Sequence, residues 1–297
     1  MNNLNASRYH ARFRKVLEYI DAHLDEALDV ETLAGVAAFS KFHFHRQFSE
    51  LLGLGVMRYL QLRRLRRASY QLAYHGDQPV LEIALASGYE GPEAFARAFK
   101  KNLGQTPSEF RKQPQWEPWT AAFAPLSTLR RNHMPKPYQA ADVRVADTPE
   151  IRVAALEHRG DPRSIGDSIR KCIAWRRANG LPPSTSATYN IFHDDPESTP
   201  AEAFRLDICV ATGVEIAPNE AGMVAKVIPG GRCAVLRHTG TEDTLGDAIR
   251  YLYRDWLPQS GEELRDFPVY AQRVKFFPEA QEHEAISDVF LPLAQSA

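Results

Sequence analysis

Residues 83–111, IALASGYEGPEAFARAFKKNLGQTPSEFR, decide the fold of the first third of this 297-residue chain. A short apolar segment runs into Gly88, whose missing Cβ permits a left-handed turn. A second segment opens at Pro92, a residue tolerated at a helix start because its absent N–H would be unpaired there anyway. Phe95, Phe99 and Leu103 then recur at helical spacing, which leaves the opposite face of that helix for a partner. The same order occurs upstream. Leu33-Ala34 and Phe39 precede Ile83-Ala84 and Tyr89 by 50 residues, and Phe44, Arg46, Phe48 and Gly53 precede Phe95, Arg97, Phe99 and Gly104 by 51. One residue inserted in the turn reconciles the offsets, so the segment is a repeat of short helix, tight turn and longer helix.

That order fits a pair of helix-turn-helix units, in which exposed side chains of the longer helix reach base edges in the major groove and Arg bonds two acceptors of guanine. Lys41, Phe42, His45 and Arg46 hold this place in the first unit, and Glu93, Ala94 and Arg97 in the second. Solvated surface charge is the competing reading of Arg46 and Arg97, and their recurrence at one repeat position speaks against it. Phe42 has two readings, a contact to a thymine methyl and a cap on the core. Glu93 and Ala94 donate little to bases or phosphates, so the second unit is expected to read its groove more weakly.

Between the units, VMRYLQLRRLRRASYQLAY reads as one linking helix carrying Arg58, Arg63, Arg64, Arg66 and Arg67. At about 1.5 Å per residue it spans about 27 Å, which suits two recognition helices in successive major grooves about 34 Å apart. Phosphate contacts are assigned to Ser40, Arg63, Arg64, Lys100 and Lys101. The remaining arginines are assigned to surface ion pairs with acids such as Glu50 and Glu82. On these motifs residues 9–112 resemble the AraC/XylS family DNA-binding domain. The resemblance implies seven helices, a bent or asymmetric site on double-stranded DNA, and base reading at Phe42, His45, Arg46, Glu93 and Arg97.

Residues 113–141 carry several prolines and no sustained periodicity, and are read as an interdomain linker between a domain at 1–112 and one at 142–297. In the second domain RVAALEHRGDPRSIGDSIR (152–170) aligns without gaps to RCAVLRHTGTEDTLGDAIR (232–250), with nine of 19 positions identical. Each copy opens on an alternating strand and continues as a helix, with Ser164 and Thr244 expected as N-caps and Gly180 and Gly261 as left-handed helix ends. A stripe of Leu245, Ile249, Leu252, Tyr253, Trp256 and Leu257 must cover a sheet. Further strands are expected at FRLDICVAT, MVAKVIP, PVYAQRVKF and SDVFLPL. The fold class is α+β: an all-α double helix-turn-helix domain, then a duplicated antiparallel domain of two strand-helix-strand-strand units.

Duplicated units pack about a pseudo-dyad, and the groove on that axis is a natural ligand site. Trp175, Tyr189, Tyr251, Trp256, Tyr270 and Phe290 are the aromatic side chains available to line it, with Glu284 as an acid that can approach; each aromatic also has a plain core reading. The paired strands, WRRANGL, DDPESTPAEAFRLDICV, LYRDWLPQSGEEL and ISDVFLPL make residues 142–294 resemble the GyrI-like effector-binding domain. In members of that family that bind cationic drugs a buried acid lies on the strand that is PVYAQRV here, and Ala271 stands at its place. A cation in an apolar pocket needs a countercharge, so the resemblance with this departure implies a neutral or aromatic ligand.

Composition bounds the rest. Hydrophobic residues make up 44% and charged residues 25%, a globular balance, and no apolar run approaches the roughly 20 residues of a membrane span. Together with an N-terminus lacking a signal-like stretch, this gives a cytoplasmic expectation. Residues 1–112 hold 16 Lys+Arg against 12 Asp+Glu and residues 113–297 hold 20 against 25, so an anionic partner suits only the first part. Cys172, Cys209 and Cys233 are too widely spaced for a zinc motif and read as reduced core thiols. His158 and His238 recur without other ligands at metal spacing, so neither a metal nor a cofactor is expected. The function these features imply is a transcription regulator that binds DNA and a small molecule, with RNA polymerase as partner, acting as monomer or homodimer. Hydrolysis by the second domain, or protein docking on a constitutive DNA binder, are the alternatives; no nucleophile, base and orienting group share one motif.

Overall fold

The computed structural model describes residues 2–134, 137–277 and 279–295, with side chains from residue 8 onward. The chain forms two compact units, Met1–Pro135 and Lys136–Ala297. The first is all helix: α1 (Asn2–Ala22), α2 (Val30–Val36), α3 (Lys41–Leu52), α4 (Val56–Tyr74), α5 (Val80–Ala86), α6 (Pro92–Leu103), α7 (Pro107–Lys112) and α8 (Trp116–His133). Phe13, Val16, Leu17, Ile20 and Leu24 of α1 and Leu60, Leu62, Leu65, Ala68 and Leu72 of α4 are all buried in one core, as their periodicity predicts. Phe44 and Phe48 join that core from α3, as do Phe95, Phe99 and Leu103 from α6. Leu52 takes the place equivalent to Leu103, and Leu51 packs only at its edge.

The two helix-turn-helix turns use one backbone conformation with different residues. Gly88 has φ +76 and Ala38, its counterpart, φ +54. A Cβ at Gly88 would sit 2.5 Å from Arg64 Nη1, the movable end of a long side chain, so the left-handed backbone is what favours glycine in the second turn.

Two sequence expectations are corrected here. The segment read as a linker, 113–141, holds the 18-residue helix α8, whose Trp116, Phe123, Leu126 and Leu129 belong to the core of the first unit. Its prolines mislead because Pro118 lies in the first turn, where no N–H is needed, and Pro125 costs a single bond inside the helix. Arg63, assigned to phosphate, is 1% exposed: its Nε donates to Asp21 Oδ1 at 2.9 Å in the core. Arg66 is also buried, Arg67 donates to the Ala86 carbonyl, and Arg64 spends its guanidinium on the carbonyls of Leu24 and Glu26. These arginines close the packing between helices because guanidinium stems fill apolar space while their planar heads satisfy helix-end carbonyls.

The second unit is one antiparallel eight-stranded sheet with helices on one face. Its strands are β1 (Val143–Thr148), β2 (Ile151–Arg159), β3 (Thr188–Phe192), β4 (Arg205–Ala211), β5 (Met223–Ile228), β6 (Gly231–Thr239), β7 (Tyr270–Lys275) and β8 (Ile286–Pro292). Their order is β1-β6-β8-β7-β3-β4-β2-β5. The duplication reaches further than the sequence reading placed it, since β1 and β5 are 80 residues apart like β2 and β6. Each of these first strands pairs with the other copy's second strand, β1 with β6 and β5 with β2.

This exchange bends the sheet. In a flat sheet β1 and β2 would lie about 29 Å apart, six spacings of about 4.8 Å. Only Pro149 and Glu150 separate Thr148 from Ile151, a link that spans at most about 11 Å. The sheet therefore curls until its ends meet, and the two crossovers touch: a Cβ on Gly230 would lie 2.7 Å from Glu150 N and 2.9 Å from Thr148 O. Gly230→Ala should lower stability by about 1–3 kcal/mol through this overpacking. Urea unfolding of the full chain measures it, and a variant within 0.5 kcal/mol of wild type, on the order of a surface substitution, would contradict the closed end.

Inside the curl lie Val153, Ala155, Tyr189, Ile191, Cys209, Cys233, Val235, Tyr270 and Phe290. Outside it, α9 (Ile165–Ala178) covers β2 and β4, and α10 (Leu245–Tyr251) covers β6 and β8. A π-helical turn, Leu252–Trp256, joins α10 to α11 (Leu257–Ser260). That turn is where the offset between the copies changes from 80 to 81, because Trp175 and Gly180 correspond to Trp256 and Gly261. One inserted residue widens a single turn, which moves Tyr253 off the expected stripe to 38% exposure. Gly180 and Gly261 end their helices in the left-handed region as expected, with φ +63 and +72. Ser164 and Thr244 stand at the N-cap positions without capping: their hydroxyls donate backward to the carbonyls of Asp161 and Thr241. All three cysteines are free and buried, and burial pushes the Cys172 thiol up to about 11.

Candidate nucleic-acid interface and ligand groove

Helix α3 buries Phe44 and Phe48 and so turns Lys41, Phe42, His45 and Arg46 outward; all four are exposed. Phe42 is 89% exposed, which removes its reading as a cap on the core. Ser40 occupies the N-cap of α3 with an exposed hydroxyl that makes no capping bond. On α6 the same burial of Phe95 and Phe99 exposes Glu93 and Arg97. Lys100 and Lys101 are exposed in the last turn of α6, where their charge also favours the helix dipole. Arg64 is half-buried and held by two carbonyls, so of the two linking-helix arginines assigned to phosphate neither has a free guanidinium.

The aromatic set predicted to line one ligand site is divided among three places. Tyr189, Tyr270 and Phe290 meet inside the curl, with Tyr270 stacked on Phe290 at 4.8 Å and Tyr189 6.4 Å from Tyr270. Tyr251 and Trp256 lie on the helix-covered face beside α10. Trp175 borders a separate cavity of about 290 Å³ with Asn179, Leu181 and the segment 214–219. Glu284 is exposed in the turn before β8, 3.9 Å from Lys275. Strand alternation explains the division, since residues two apart share a face and helix residues reach only one face. As one constellation, the predicted ligand set is corrected.

Between the two helix-covered pairs of strands lies the middle of the sheet. With α9 on β2 and β4 and α10 on β6 and β8, the paired central strands β3 and β7 form the floor between them. Asn190 and Ala271 are partners at its middle, and they are equivalent positions of the two copies. Ala271 belongs to the helix-covered face. Asn190 is half-buried opposite it, and no hydrogen bond ties its amide to the described residues. Thr188 Oγ1 accepts from Arg176 at 2.6 Å, and Arg273 is paired with Glu242. Asn190 and Arg273 escaped the sequence reading because polar side chains in a strand carry no signal until the register is known, and Arg176 because the partner of a helix arginine is set by packing.

Polar residues at the far end of the inner face serve the sheet. Lys226 Nζ lies 2.5 Å from Glu157 and 2.8 Å from Asp207, which also accepts from His193 at 2.9 Å. Burial would raise the Asp207 carboxyl, and the His193 and Lys226 hydrogen bonds override it and hold the group below its ordinary value. Asp288, the equivalent in the second copy, pairs with Arg237 at 2.7 Å. His158 and His238 each sit under a helix start, bonded to Ser168 and to Tyr138, and among the described residues no cluster of ligands suits a metal ion. No helix among them is long and apolar enough to cross a membrane.

Comparison with known proteins agrees with this division of the chain. Residues 33–113 match a helix-turn-helix domain model, and residues 141–294 match the GyrI-like small molecule binding domain. The probable transcriptional regulator YgiV of Escherichia coli K12 is 38% identical over 52% of this chain and 96% of its own length. The right origin-binding protein of the same strain is 34% identical over 47% of this chain and 46% of its own length. The uncharacterized HTH-type transcriptional regulator YbfP of Bacillus subtilis is 40% identical over 35% of each chain. The chain belongs to the GyrI-like small-molecule-binding family and carries that domain behind an AraC-type helix-turn-helix domain, the build of a DNA-binding transcription regulator.

Proposed function

We propose that this chain is a one-component regulator whose grip on DNA is set by a small neutral ligand seated between α9 and α10. The observation that carries the ligand class is Asn190, an amide with its hydrogen-bonding capacity open beside Ala271 on the groove floor. A neutral group satisfies an amide without a countercharge, whereas a cation there would have to compete with Arg273 for the Glu242 carboxylate. Base reading is assigned to Lys41, Phe42, His45 and Arg46 of α3 and Glu93 and Arg97 of α6, with Ser40, Lys100 and Lys101 on phosphates; their exposure on a shared repeat supports this. Regulation follows if the ligand has unequal affinity for two states of the chain.

Binding without turnover is the reading the groove supports. On the β3–β7 floor the Thr188 hydroxyl is already bonded to Arg176 and the Glu242 carboxylate is already paired with Arg273, which leaves the Asn190 amide, a poor base, as the open group. We infer further that the regulator acts in the cytoplasm through RNA polymerase, as a monomer or homodimer. Native mass spectrometry of the purified full chain should reveal a copurifying neutral molecule. Asn190→Ala should weaken rebinding of that molecule about fivefold, on the order of 1 kcal/mol for one lost hydrogen bond. Thermal stabilisation of the wild type by tetraphenylphosphonium, equal to that by neutral aromatic amides, would overturn the neutral-ligand reading.

A further inference from the structure

The helix α8 lies beyond the matched helix-turn-helix domain, which ends at residue 113, yet it is built into the first unit. Its two ends are tied to different parts of that unit. Near its C-terminus Arg130 Nη1 donates to Asp21 Oδ2 of α1 at 2.6 Å and to Tyr59 Oη of α4 at 3.0 Å. Burial would lower the Arg130 guanidinium, and the Asp21 carboxylate outweighs it and holds the charge in place. Through Phe13, α1 in turn packs on Phe39, Phe44 and Phe48 of the first helix-turn-helix unit. Near its N-terminus Trp119 Nε1 donates to Ser69 Oγ of α4 at 2.6 Å, Trp116 packs on Phe110 of α7, and α8 touches α6.

We propose that α8 is a positioning element of the DNA reader, a brace that fixes the separation of recognition helices α3 and α6. At 18 residues it is about 27 Å long, nearly the length of the 19-residue α4 it packs against. A linking helix curves only gently by itself, but the units at its ends can still tilt on it. Two helices joined along their length by a buried ion pair, an indole hydrogen bond and shared core side chains resist bending, because any change of angle breaks contacts at one end. The separation of two recognition helices decides which spacing of half-sites can be held at once, since successive major grooves lie about 34 Å apart. Arg130 and Trp119 are thereby spacing-determining residues although neither faces DNA.

This rests on the two-groove reading of the reader, and the experiment separates the two. A duplex is selected from a random pool by the full chain, and affinities are measured for it and for versions with one or two base pairs added to or removed from its spacer. Wild type should prefer one spacing by tenfold or more. Arg130→Met leaves the Asp21–Arg63 pair in place, and Trp119→Phe keeps an aromatic ring, though a smaller one, while deleting the indole N–H and its hydrogen bond. Both should bring the preference below threefold while binding to an isolated half-site stays within twofold of wild type. Unchanged spacing preference in a cooperatively folded Trp119→Phe variant would overturn the brace and leave the two-groove reading standing. Selection by wild type of a site without a fixed spacer would overturn both.

Discussion

Asp21→Ala should cost the full chain about 3–5 kcal/mol of stability, the penalty for leaving buried charge unpaired. Asp21 is 1% exposed and stands between two guanidiniums, Arg63 at 2.9 Å and Arg130 at 2.6 Å, which are themselves 1% and 3% exposed. Neither arginine can reach water without breaking the core around Phe13, Tyr59 and Leu62. The carboxylate thus holds α1, α4 and α8 together. Because the group is dry, the loss should change little between low and high salt, unlike that of a surface pair. Replacing all three charged residues by apolar ones of similar volume should cost far less, since an ion pair and a well-packed apolar cluster can be nearly equivalent. Urea unfolding of the first unit's transition checks both, and a single-variant loss under about 1 kcal/mol, the range of an exposed pair, would refute the buried-charge account.

Arg46→Ala should weaken binding to a selected duplex by about 1–3 kcal/mol, on the order of 5- to 150-fold, and relax base preference at one position. Arg46 is exposed on α3, its counterpart Arg97 is exposed on α6, and neither is paired with an acid among the described residues. A base contact is lost unequally across sequences. A phosphate contact is lost equally and lowers the slope of log affinity against log salt by about one. Lys100→Ala should show the second pattern. Fluorescence anisotropy on matched and mismatched duplexes at several salt concentrations distinguishes them, and uniform loss for Arg46→Ala would move it to the phosphate class.

The helix-turn-helix repeat was legible because helical periodicity, a glycine turn and an N-terminal proline are local signals. The duplication of the second domain was legible for the same reason: strand alternation and helix stripes repeat in register. Helix α8 was hidden because proline statistics describe average helices. The positions of Pro118 and Pro125 cost little once Trp116, Phe123 and Leu126 have a core to enter. The fate of the linking-helix arginines was hidden because a charge pattern gives no depth. Arg63 and Arg130 belong inside only because Asp21, 42 and 109 residues away, is there to meet them.

What the amino-acid order determined by itself is which segments become helices and strands, α8, β1 and β3 apart, that each domain contains a repeat, and which side chains of α3 and α6 lie opposite the buried phenylalanines. These follow from periodicity and backbone preference within about 20 residues. Only the tertiary structure decided that β1 and β5 exchange between copies, that the sheet curls, and that Tyr189, Tyr270 and Phe290 lie on the opposite face from Asn190 and Ala271. Faces depend on strand register, and register depends on pairings between residues 47 to 93 positions apart, a distance over which local patterns carry no information.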